Sequence, residues 1–69
     1  MMRHKHGYYE YQVIPQEQGW GYKIFTDNDI YQEIWGTDVY RESDEWFDTP
    51  VQAQFAAIGH ISLIENGEG

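Results

Sequence analysis

Thr49-Pro50-Val51-Gln52-Ala53-Gln54-Phe55-Ala56-Ala57-Ile58-Gly59-His60-Ile61-Ser62-Leu63-Ile64-Glu65-Asn66-Gly67 is the stretch whose reading decides the fold. Threonine, then proline at the first helical position and glutamine at the third, form a capping box with the favoured proline. Asn66-Gly67 supplies a left-handed stop. The expectation is a helix from Pro50 to about Glu65.

Advancing ~100° per residue separates two apolar stripes on that helix. Val51, Phe55 and Ile58 cluster, with Ser62 beside them. Ala53, Ala56, Ala57, His60 and Ile64 lie on the far side, and Ile61 and Leu63 flank the two. The polar residues Gln52, Gln54, His60, Ser62 and Glu65 are scattered around the barrel. One sheet face covers one stripe, and an apolar stripe left in water marks an interface. The large residues are therefore expected on the sheet. The small ones around Ala53, Ala57, His60 and Ile64 are expected to receive a partner or a second copy. In the competing reading the sheet wraps the helix, or Trp46 and Phe47 cover its flank.

Upstream, Tyr8-Tyr9-Glu10-Tyr11-Gln12-Val13-Ile14 alternates with a period of two and reads as a strand that Pro15 stops. Gln16-Glu17-Gln18-Gly19 is a polar connection. Trp20-Gly21-Tyr22-Lys23-Ile24-Phe25 is a second strand, with Gly21 leaving room for a bulge or a neighbouring aromatic. Thr26-Asp27-Asn28-Asp29 reads as a tight turn into a third strand, Ile30-Tyr31-Gln32-Glu33-Ile34-Trp35, paired with the second as a hairpin. Val39 and Tyr40 either continue the sheet after a bulge at Gly36-Thr37 or lie in a loop over it. The expected architecture is α+β: a three-stranded antiparallel sheet in β-β-β-α order, with one C-terminal helix packed on one face. Residues 1–7 are expected to be a flexible arm and residues 8–69 one domain.

This succession resembles small bacterial β-β-β-α domains of unknown function: Gly19-Trp20-Gly21-Tyr22-Lys23-Ile24-Phe25, a turn, another aromatic strand and a Thr-capped, Ala-rich helix. The resemblance spans roughly residues 8–66 and rests on pattern. It implies a fold and a bacterial setting. Those domains carry no established activity, so it assigns no role to any residue.

Twelve acidic and four basic residues among 69 give a net charge of −8. From Gly7 onward only Lys23 and Arg41 oppose twelve carboxylates. Such a body repels phosphate and attracts basic protein surfaces, which speaks against direct nucleic-acid binding. There is no cysteine, no apolar run near the ~20 residues of a membrane span, and no apolar stretch behind the positive N-terminus. The expected setting is the cytoplasm.

No motif for catalysis emerges. His4 and His6 lack a third metal ligand at a readable spacing. His60 has Ser62 two residues along the helix, facing elsewhere, so no nucleophile–base pair forms. Asp27-Asn28-Asp29 fails the calcium-loop pattern, because its sixth and twelfth positions hold Gln32 and Asp38. Phosphate loops, GxSxG and HExxH are missing. No enzyme, cofactor or metal site is expected.

The most suggestive segment is Asp38 to Asp48, where Asp38, Glu42, Asp44, Glu45 and Asp48 interleave with Tyr40, Trp46 and Phe47. Carboxylates steer a basic partner and aromatics anchor it. Alternatively, Trp46 and Phe47 tuck into the core and the acids are solvated. The expected partner-binding set is thus Asp38, Glu42, Asp44, Glu45, Asp48, Ala53, Ala57, His60 and Ile64. The expected function is a non-enzymatic interaction module, with a nucleic-acid-mimicking inhibitor of a basic protein as its specific form and a homodimer as one arrangement. The alternative is a small-ligand domain using Trp20, Tyr31 and Trp35.

Overall fold

A computed structural model describes residues 3–67. Met1, Met2, Glu68 and Gly69, which the expected boundaries include, lie outside them. The class is α+β with an antiparallel sheet and a C-terminal helix, but the sheet has four strands and the order is β-β-β-α-β-α. Strands β1 (His4–His6), β2 (Tyr9–Gln16) and β3 (Gly19–Phe25) are followed by α1 (Asp29–Trp35), β4 (Val39–Glu42) and α2 (Pro50–Glu65). The strands lie in sequence order as an antiparallel meander.

Three of the expected segments are corrected first. His4–His6 is not part of a frayed arm. It turns back at Gly7 (φ 62°), pairs with Tyr9–Tyr11, and sets the His4 ring 5.4 Å from Tyr11. Arg3 then lays its guanidinium 3.5 Å from the centre of the Phe25 ring and pairs with Asp38 at 2.8 Å.

Pro15 does not end β2, which continues to Gln16. Opposite it, Trp20 spends its N–H and its C=O on Phe47, both at 2.8 Å, so the ladder asks nothing of the proline nitrogen.

Residues 30–35 are helix, not a third strand, and the expected hairpin with β3 does not exist. Asn28 caps α1 by accepting from the Tyr31 N–H at 2.9 Å, and Gly36 closes it at φ 69°. The spacing of Ile30 with Ile34, and of Tyr31 with Trp35, fits both an even strand repeat and one helical turn, and the caps decide it. β3 pairs instead with Val39–Glu42, and a register shift between Ile24 and Phe25 leaves Tyr40 as the extra residue.

α2 matches the expected span and cap, with the Thr49 hydroxyl accepting from the Gln52 N–H at 3.2 Å. It lies across β2 and β3. The face it presents to them is mainly the small-residue stripe, although Ile58 of the expected large-residue stripe is half-buried against the same core. Ala53, Ala57 and Ile61 have no accessible surface, and Ile64 is half-buried against the same core. Val51, Phe55 and Leu63 are exposed. The sheet supplies the bulk: Tyr11, Tyr22 and Ile24 fill the space between the layers, so the helix must bring small side chains to approach. Burying Ile61 completely stabilises the packing by about 1.5–3 kcal/mol.

On the sheet's other face, Phe25 is buried beneath Arg3, and Gly21 makes room for Trp46, whose ring a Cβ at Gly21 would meet at 3.4 Å. α1 buries none of its residues, leaving Ile30, Ile34 and Trp35 exposed. No helix among the described residues is long and apolar enough to cross a membrane.

Candidate functional site

After β4 the chain does not leave the sheet at once. Ser43 donates its N–H to the Tyr22 carbonyl at 3.0 Å and accepts from the Tyr22 N–H through its hydroxyl at 3.1 Å. Four residues on, Phe47 exchanges both backbone bonds with Trp20. Ser43–Phe47 is therefore clamped to β3 at both ends, and Asp44 and Glu45 bow outward between the clamps, exposed. Phe47 turns toward the helix side and stacks on Tyr22, with centroids 6.3 Å apart, while Trp46 sits over Gly21.

This bowed segment and one flank of α2 enclose an open groove of about 460 Å³. Asp44 and Glu45 line the chain side, Tyr22 and Phe47 the floor, and Ala56, Gly59, His60 and Leu63 the helix side. That volume falls within the range of sites for small ligands or single anchoring side chains. None of the described residues lining it is Lys or Arg.

At the floor, the Tyr22 hydroxyl lies 2.8 Å from His60 Nδ1, and the two rings meet edge to face at 5.8 Å. Burial pushes the Tyr22 phenol above its ordinary value, and the negative fields of Asp44 and Glu45 push the same way. The hydroxyl and Nδ1 share one hydrogen bond, which ties the floor of the groove to the helix. Ser62 donates its hydroxyl to the Ile58 carbonyl at 3.1 Å and takes no part. The groove offers an aromatic floor, two carboxylates and one polar ring atom.

Compared with known proteins, the chain matches no family model, no curated protein and no solved structure. The site stands on its own geometry.

The expected partner-binding set is only partly brought together. Asp44, Glu45 and His60 share the groove. Asp38 is paired with Arg3, Glu42 faces Lys23 across the strands, and exposed Asp48 donates its N–H to the Gln52 side chain at the foot of α2. Ala53 and Ala57 are sealed against the sheet and closed to a partner, which corrects the expected docking stripe, and Ile64 is half-buried against the core. Asp27-Asn28-Asp29 leads into α1 instead of turning a hairpin. Trp20 lies at one end of β3 while Tyr31 and Trp35 follow the other end, so these three aromatics form no common site. Among the described residues no three His, Asp or Glu side chains gather to hold a metal ion.

Tyr22, Ser43 and Gly59 are site residues that the sequence reading does not single out, whereas Phe47 is one of its anchoring aromatics. Gly59 carried a signal: a glycine inside a helix costs about 1 kcal/mol relative to alanine, and here a Cβ would meet nothing within 4 Å, so packing within the chain does not demand it.

Proposed function

We propose that this chain is a non-enzymatic docking module in a cytoplasmic setting. It engages a basic protein partner along the outer flank of α2 and the groove beside it. The observation that carries the reading is the juxtaposition of exposed Leu63 with a groove whose described lining holds two carboxylates and neither Lys nor Arg, on a helix that also leaves Phe55 exposed. Apolar side chains provide anchoring contacts, and the acidic wall steers a cationic segment into place. A net charge of −8 on each copy favours such a partner over a second copy, because self-association brings like charges together.

The test uses an amidated helical peptide as long as α2, leucine on one face and arginine and lysine on the other, titrated into the isotope-labelled protein. Binding is expected to shift the amides of Ala56, Gly59, His60 and Leu63, and to weaken as salt rises through the Debye regime. A glutamate-faced control is expected not to bind. Absence of binding, or shifts confined to α1 or β1, overturns the reading.

A further inference from the structure

Resting on that docking reading, we infer that the groove selects one arginine side chain of the partner, its guanidinium against the Phe47 ring and paired with Asp44 and Glu45. The chain's own cations show the pattern. Both of its arginines lie on aromatic rings: Arg3 at 3.5 Å from the centre of Phe25, and Arg41 at 4.2 Å from that of Tyr40. Arg3 adds a carboxylate, Asp38, at 2.8 Å. The groove repeats this combination of ring and carboxylate with none of the chain's arginines in it.

Its chemistry favours guanidinium over ammonium for three reasons. The guanidinium is planar and stacks on a ring face, where a compact, strongly hydrated ammonium gains less. Its fork of donors reaches two acceptors at once, and adjacent Asp44 and Glu45 supply them at the mouth. Exposed Leu63 and the open position at Gly59 leave an apolar flank for the aliphatic stem. A bare metal ion finds no equivalent, because among the described residues no three His, Asp or Glu side chains gather there.

The experiment carries lysine at every basic position of the helical peptide except one central position. That position is varied between arginine, lysine and citrulline, and affinities are read by calorimetry. Arginine is expected to bind about fivefold more tightly than lysine and roughly tenfold more tightly than citrulline, the uncharged isostere. The Asp44→Asn/Glu45→Gln variant, altered only at exposed positions, is expected to lose the preference over citrulline. Phe47→Leu, checked for folding by circular dichroism, is expected to lose the preference over lysine. Equal binding of arginine and lysine, or of arginine and citrulline, overturns the inference while leaving the docking reading intact. So does a preference that survives in both variants. Failure of all three peptides to bind removes the docking reading, and the inference with it.

Discussion

Replacing Ala57 by leucine and, separately, Phe55 by alanine tests the orientation of α2, on which the whole site depends. Ala57 has no accessible surface and packs among Tyr11, Tyr22 and Ile24. Three added carbons have no space to enter, and overpacking of this kind costs about 1–3 kcal/mol. A chain of 69 residues has a total stability of roughly 3–10 kcal/mol at the usual 0.05–0.15 kcal/mol per residue. Ala57→Leu is therefore expected to lower Tm by roughly 5–20 °C.

Phe55 is 67% exposed, so folding covers about a third of its surface. Of the ~1.5–3 kcal/mol that complete burial contributes, about 0.5–1 kcal/mol is lost with Phe55→Ala. The better helix propensity of alanine returns about half a kcal/mol. The net change is expected to be within roughly 0.5 kcal/mol. Urea unfolding followed by circular dichroism at two protein concentrations reads both variants. A loss of about 3 kcal/mol or more for Phe55→Ala, with Ala57→Leu tolerated, means the helix is turned the other way. A midpoint that rises with concentration means a second copy covers Phe55.

Alkaline pH is expected to destabilise the fold. Burial raises the Tyr22 and Tyr9 phenols above 10, so the unfolded chain ionises first; their contribution is complete below pH 10 and is lost as pH climbs through the raised values. Tyr22→Phe is expected to flatten that loss, at about 1 kcal/mol at neutral pH for leaving His60 Nδ1 unpaired; urea midpoints at neutral and alkaline pH check it, and an unchanged alkaline loss contradicts it. Gly59→Ala is expected to stabilise by about 0.5–1 kcal/mol, since its Cβ enters open space on a helix. Gly19→Ala is expected to destabilise by about 1–3 kcal/mol, because φ is 140° and the new Cβ would stand 2.5 Å from the Phe47 carbonyl oxygen. Thermal melts check both: an unchanged or higher Tm for Gly19→Ala counts against the clamp, and a lower Tm for Gly59→Ala counts against the open position on the helix.

Local signals were legible where one period or one cap dominated. The Thr49-Pro50 cap set the start of α2, and the alternation in Tyr9–Val13 marked β2. Ile30–Trp35 was misread because residues four apart share a side in both a strand and a helix; Asn28 and Gly36, as caps, held the decisive information. The strand at His4–His6 is too short to show a period, and its order comes from pairing with β2 and from Arg3 on Phe25. The acidic segment was legible as a composition. Only the double clamp on β3 shows that Asp44 and Glu45 project at a groove while Asp38 and Glu42 do not. Tyr22 was hidden as a site residue, since nothing local reveals that a strand tyrosine will meet a histidine 38 positions away.

The inverted helix ties the fold to the site. Two apolar stripes compete for one sheet, and the choice turns on what the sheet already brings. Tyr11 and Tyr22 are long enough to span the gap between the layers, so alanines complement them better than Val51 and Phe55 would, and the helix settles close. Closeness brings His60 within 2.8 Å of the Tyr22 hydroxyl and forms the helix side of the groove. The displaced Val51 and Phe55 then stand in water on the outer side of the helix. A sheet built with small residues at positions 11 and 22 would draw Val51 and Phe55 inward, and the groove and its apolar rim would be lost together.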